Sequence, residues 1–275
     1  MDRNTLISSA LRFAEESPAN CISDDIALTP DCVGMKIYEP PVFGFASAGD
    51  EIFARYKLPD VIGENFMAPS EWLSEARSVI SFYLPYTEKV RLANALDFSW
   101  PSAEWLHGRY DGQLFIKELC LYLHRLLTDA GYACLSPAFD PRLKTGNANN
   151  RFSSNWSERH AAYACGLGTF GLTRGIITEK GSCIRFGSLI TALELPVDAR
   201  PYSGVYEYCT MCGACAAHCP AKAISLDGGK DNELCSAFLD RTLEKHRPRY
   251  GCGKCQVSVP CSSKIPGRDC HGAVC

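Results

Sequence analysis

The chain of 275 residues holds no uninterrupted apolar stretch of the roughly 18 residues that a membrane-spanning helix needs, which argues against a membrane protein. Its opening residues, Met1-Asp2-Arg3-Asn4-Thr5-Leu6-Ile7, lack the apolar segment of a secretory signal, so the expected location is the cytoplasm. An excess of one charge is missing as well: 28 Lys and Arg stand against 31 Asp and Glu, for a net charge of −3. No basic field advertises nucleic acid or an acidic membrane, and charge alone points to a small-molecule or protein partner. The sequence has no internal repeat and no low-complexity segment. With 46% apolar and 21% charged residues it can bury the core of one or two globular domains.

Cysteine is what the chain has in abundance. Ten of its 16 cysteines fall between Cys209 and Cys275, and the other six are spread over the residues before them. Cytoplasmic thiols stay reduced, so a dense group reads as metal binding before disulfides. The charge balance shifts at the same place, with nine Lys and Arg against six Asp and Glu from Cys209 onward. The sequence divides into a body over residues 1–200 and a cysteine-rich module over 201–275.

In the body, Leu6, Ile7, Ala10, Leu11 and Ala14 form one helical stripe. Arg77 to Leu84 is a β-branched and aromatic run stopped by Pro85, which predicts a strand. From Ala103 to Ala130 apolar residues recur at helical spacing, with Gly131 as the stop and with Gly108 and Gly112 as points where the first turns could break. Tyr132 to Pro137 reads as a second strand. Arg142, Lys144 and Asn147 to Asn150 form a polar loop. Asn155 followed by Glu158 resembles a capping box for a helix through Cys165. Ile176 to Thr178 and Cys183 to Leu195 are two β-rich runs expected to pair as an antiparallel hairpin. Helices and strands mix without regular alternation, so the expected class is α+β.

The spacing Cys209-x2-Cys212-x2-Cys215-x3-Cys219-Pro220 is similar to the bacterial ferredoxin run, in which three thiolates hold one 4Fe-4S cluster and the fourth reaches another. Structural zinc sites instead use two C-x-x-C pairs well apart in sequence. Cys235, Cys252, Cys255 and Cys261 supply the second set. The crossed arrangement of that run implies that Cys209, Cys212 and Cys215 pair with Cys261, and Cys219 with Cys235, Cys252 and Cys255. The second set departs from the usual run, since 16 residues separate Cys235 from Cys252 and five separate Cys255 from Cys261. Cys270 and Cys275 stand in the tail.

Gly166-Leu167-Gly168-Thr169-Phe170-Gly171 matches G-x-G-x-x-G, but a dinucleotide site needs a strand before that motif and a helix after it, and here the order is reversed. Taken together, Ala164 to Gly171, Gly175-Ile176-Ile177-Thr178, Gly181, Leu189-Ile190-Thr191, the C-x2-C-x2-C-x3-C-P run and Gly251-Cys252-x2-Cys255-Gln256 resemble the epoxyqueuosine reductase and reductive dehalogenase superfamily, over Ala76 to Pro266. The resemblance implies a nitroreductase-like α+β domain that binds cobalamin, followed by a ferredoxin-like domain with two 4Fe-4S clusters. It implies that Gly166, Leu167, Gly168, Thr169, Phe170 and Gly171 wrap the corrin. It also implies an electron donor such as a ferredoxin or flavodoxin.

Epoxyqueuosine reductases carry Gly-Arg-Asp-Tyr-His with a catalytic aspartate, whereas this chain reads Gly108-Arg109-Tyr110-Asp111-Gly112. Asp111 or Tyr110 is therefore the expected proton donor. The balanced charge, and the absence of the helical-repeat extension that accompanies many tRNA-acting members, make a small molecule the expected substrate and leave tRNA unexpected. Two other readings of the same residues stay open, an electron-transfer protein without a corrinoid and a flavin-dependent reductase.

Overall fold

The computed structural model describes residues 1–146 and 151–267. Asn147 to Asn150, Cys270 and Cys275 lie outside the described residues. In chain order the elements are α1 (Arg3–Glu16), β1 (Val42–Ser47), α2 (Glu51–Arg55), α3 (Pro69–Trp72), β2 (Ser78–Pro85), α4 (Glu88–Ala93), α5 (Ala103–Asp129), β3 (Cys134–Leu135), α6 (Glu158–Ala164), β4 (Thr169–Phe170), β5 (Ile176–Ile177), β6 (Ile184–Thr191), α7 (Ala214–Ala217), β7 (Ile224–Ser225), β8 (Gly229–Lys230) and α8 (Asn232–His246).

An antiparallel sheet in the order β1-β2-β6-β3 forms the centre. Every residue of β2 is buried, because both faces of the sheet are covered. Ile80, Phe82 and Leu84 point into a core shared with Leu6 and Ala10 of α1 and with Phe115, Leu119 and Leu123 of α5. Val79 and Tyr83, on the alternate positions, enter a second core with Phe53, Trp156 and Ala161. A strand buried on both faces reads as an unbroken apolar run, as this one does.

α1 and α5 lie where the spacing of apolar residues predicts. Asp2 caps α1 by accepting from the Thr5 N–H at 2.8 Å, and Ser102 caps α5 by accepting from the Trp105 N–H at 3.2 Å. Gly108 and Gly112 do not break α5. They let two stacked, buried rings lie against the helix, since a Cβ at Gly108 would stand 2.7 Å from Tyr86 and one at Gly112 2.3 Å from the Tyr38 hydroxyl. The α+β expectation thus holds for a mixed fold.

Three local expectations are corrected. Ser157, not Asn155, caps α6, and the Asn155 side chain ties the preceding loop to the Lys144 N–H and Arg142 carbonyl. Only Cys134 and Leu135 of the segment after α5 pair in the sheet. The proposed hairpin does not form: Ile176 and Ile177 pair with Phe170 and Thr169, while β6 runs between β2 and β3. Among the described residues no helix is long and apolar enough to cross a membrane.

Candidate functional site

The cysteine-rich module is bolted to the body by its last loop. Lys254 is fully buried and donates to the Asn94 carbonyl at 2.7 Å and to its side-chain oxygen at 2.9 Å. Asn94 in turn donates to the Cys252 carbonyl, and Gln256 donates to the Ser182 carbonyl. These contacts place a cysteine loop directly against the end of α4 and the segment that leads into β6.

The eight thiols separate into two quartets. Cys209, Cys212, Cys215 and Cys261 line a small cavity of about 30 Å³ beside Gly171 and Pro260. Burial, then the neighbouring Cys261, Cys209 and Cys212, pushes the Cys215 thiol up to about 11. Cys219, Cys235, Cys252 and Cys255 line a wall of a much larger cavity. Burial first, with Cys235 and Cys219 adding to it, pushes Cys252 up to about 11 and Cys255 up to about 12. Burial beside other thiols makes Cys215, Cys252 and Cys255 resist ionisation unless a cationic centre balances them. Among the described residues no three His, Cys, Asp or Glu side chains gather tightly enough for a single metal ion. The quartets surround a volume rather than a point, an arrangement that can hold a multi-iron cluster.

The larger cavity measures about 560 Å³, within the range of small-molecule and cofactor sites. Trp105, Trp156 and Phe186 contribute apolar walls, and Arg109 and Arg185 contribute charge. Repulsion from Arg185, then burial, lowers the pKa of Arg109. Glu158 is the one carboxylate among the residues that line the cavity, and burial pushes it up to about 7. Glu158, Arg185 and Arg109 are functional candidates that the sequence reading passed over. Glu158 gave only a helix-capping signal, and its place beside a cavity depends on β6, more than 20 residues away.

The residues singled out from sequence fall elsewhere. Asp111 does not line the cavity. Its carboxylate accepts two hydrogen bonds from Arg249, at 2.8 and 3.2 Å, and one from His107 at 2.7 Å. The His107 Nε2 accepts from the Leu28 N–H, so the ring proton toward Asp111 sits on Nδ1. Burial alone would raise the Asp111 pKa, but the bonds from His107 and Arg249 prevail and hold it below the ordinary range. Such an anion is a poor acid. Tyr110 lies outside the cavity too, beneath the Arg249 guanidinium. Both are parts of a tie between α5 and the module.

The glycine loop stands apart from the large cavity, which none of Gly166, Leu167, Gly168, Thr169, Phe170 and Gly171 lines. A Cβ at Gly168, where φ is +158°, would stand 2.2 Å from the Ile177 carbonyl oxygen. One at Gly166 would stand 2.6 Å from that of Ala199. The glycines allow backbone to pack on backbone, and Thr173, Gly175 and Ile176 are the residues that reach the cavity.

Residues 204–225 match the 4Fe-4S binding domain family. The epoxyqueuosine reductase of Bacillus anthracis is 33% identical over 125 residues, covering 42% of this chain and 31% of the relative. The tetrachloroethene reductive dehalogenase of Desulfitobacterium hafniense is 43% identical over 113 residues, covering 38% and 20%. A solved epoxyqueuosine reductase with a tRNA-Tyr epoxyqueuosine-modified stem loop superposes with a TM-score of 0.55 at 19% identity, over 94% of this chain and 66% of that one. The chain thus matches about a third or less of these curated relatives' length. The stem-loop structure corrects the exclusion of tRNA. A protein of this fold has been solved with one, and net charge summed over a chain does not report the field at one face. The ferredoxin-type run and the two kinds of relative make the chain similar to the epoxyqueuosine reductase and reductive dehalogenase superfamily, and the superposition shows a shared fold.

Proposed function

We propose that this chain is a reductase in which two 4Fe-4S clusters deliver electrons to a corrinoid seated in the large cavity, for transfer to an electrophilic carbon. The observation that carries the reading is that the second thiol quartet forms a wall of that cavity. Cys209, Cys212, Cys215 and Cys261 hold the outer cluster, and Cys219, Cys235, Cys252 and Cys255 the inner one. Cys212 and the adjacent Met211 are exposed, so a ferredoxin or flavodoxin would dock there and electrons would run inward.

When bound, the corrinoid supplies a low-valent, strongly nucleophilic cobalt. The chain's residues hold it and dry its surroundings. Gly251, Gly253 and Gln256 bring the module's backbone to the cavity beside the inner quartet, and Trp105 and Trp156 exclude water. Arg109 and Arg185 make that wall cationic, which favours substrates with negative charge. The names of the two relatives supply the two acceptors to try, an epoxide in a tRNA stem loop and a chlorinated alkene.

The test is anaerobic purification with iron and sulfide analysis, followed by cobalamin titration monitored by visible absorption and by electron paramagnetic resonance. About eight irons per chain are expected, with a changed cobalt signal on binding. Turnover with an epoxyqueuosine-modified stem loop or with tetrachloroethene then identifies the acceptor. Eight irons with an unaltered free-cobalamin spectrum would reject the corrinoid and leave an electron carrier.

A further inference from the structure

Among the described residues Lys254 is the one lysine or arginine that is buried, and it stands between Cys252 and Cys255 in the inner quartet's own loop. Its ammonium donates to the Asn94 carbonyl at 2.7 Å and to the Asn94 side-chain oxygen at 2.9 Å, and both acceptors are neutral. Asn94 is committed in turn. Its side-chain oxygen also accepts from the Ser102 N–H at 3.1 Å, and its amide donates to the Cys252 carbonyl at 3.0 Å. Asp97 is the carboxylate that acts on Lys254, but it is exposed and makes no hydrogen bond to it. A charge taken out of water without a counter-charge is strongly disfavoured, so this place calls for an anion that the chain's carboxylates do not supply.

The inner quartet can supply it. Lys254 acts on the Cys252 sulfur twice, through its charge and through its backbone N–H, and these are the two influences that favour a thiolate there. At Cys255 the favouring influence is the charge of Lys230, which lines the large cavity. The outer quartet differs. The strongest influences on Cys215 and Cys261 are burial, other thiols and hydrogen bonds, with no cation among them. A 4Fe-4S centre held by four thiolates is anionic, and each electron it takes makes it more so. A fixed cation beside such a centre therefore favours the reduced form, and the loop sequence gives one to the inner quartet alone.

We propose that Lys254 is the fixed counter-charge of the inner cluster and makes it the more easily reduced of the two, so that electrons entering at the outer cluster run downhill toward the cavity. The proposal rests on the two-cluster reading above and not on the corrinoid, and its test needs neither cobalamin nor turnover. The iron-loaded chain is reduced stepwise at controlled potentials under electron paramagnetic resonance. In the wild type the first resonance to appear should be the inner cluster's, the one that Cys219→Ala should remove, and the outer cluster's should follow at lower potential. Lys254→Gln keeps a donor for Asn94 but loses the charge. It should make the inner cluster about tenfold harder to reduce, a midpoint about 59 mV lower, with the outer midpoint unmoved. Lys254→Arg keeps the charge and should keep the inner midpoint, and a residue that only ties the loop to Asn94 would not separate these two variants. An outer cluster reduced first in the wild type overturns the proposal whether or not Lys254→Gln folds. So does an inner midpoint that Lys254→Gln leaves unchanged. Wild-type protein with too little iron for two clusters would instead overturn the two-cluster reading itself.

Discussion

The ion pair between Asp111 and Arg249 joins the first half of α5 to the segment that leads into Cys252 and Cys255, and both side chains are about nine-tenths buried. Asp111→Asn would leave the Arg249 guanidinium in that site without its counter-charge. Breaking one side of a buried pair costs about 3 kcal/mol. The variant is expected to melt well below the wild type and to retain less iron. Its cobalamin spectrum below the melting range should be unchanged, an outcome that a proton-donor role would not require. Because the Asp111 pKa is depressed from 3.8, its contribution is present at neutral pH and is lost as the pH falls through the folded-state value. Thermal melts of both proteins from pH 7 down to acid should therefore converge at the low end. His107 serves the same tie, since its neutral ring bridges the Leu28 amide and Asp111.

At the scale of elements, the loop carrying the inner quartet is set by its contact with α5. Gly253 has a φ of +67°, and a Cβ there would stand 1.9 Å from the Trp105 ring. Gly253→Ala is expected to displace Cys252 and Cys255 and to lower the iron content from about eight to about four per chain. Adding Trp105→Ala removes the clash but not the backbone strain, so it should restore the iron only in part. Iron analysis of the single and double variants decides this, and full iron in Gly253→Ala would show that the loop is not fixed by Trp105. The same elements mark what sequence can disclose. α1, α5 and β2 were legible because they are long enough for a period of apolar residues to declare itself. β4 and β5 have two residues each and no period to read, so Ile176 and Ile177 were assigned to the wrong partner. The thiol run was legible because its ligands are close in sequence, whereas the cavity wall draws Trp105, Glu158, Arg185 and Cys252 from four separate segments.

Across the whole molecule, the two quartets and the cavity define a direction, from the exposed Cys212 to the inner quartet and on to the arginine-lined wall. That wall also explains why net charge misled. A balance of −3 over 275 residues coexists with a cavity that pairs Arg109, Arg159, Arg185 and Lys230 with a single carboxylate, Glu158. The direction requires the quartets to cross the order of the sequence, and this can be tested directly. If Cys219 serves the inner cluster, Cys219→Ala should lose about half of the iron and the inner cluster's resonance while the outer cluster still accepts an electron from the donor. Electrons would then stop short of the cavity, and cobalamin, though bound, would stay oxidised. Cys261→Ala should give the complementary result, an intact inner cluster that the donor reduces slowly because the outer one is gone. Anaerobic reduction followed by electron paramagnetic resonance separates the two variants. If Cys219→Ala removed the same cluster as Cys212→Ala, the ligands would follow sequence order, and the path from surface to cavity would have to be redrawn.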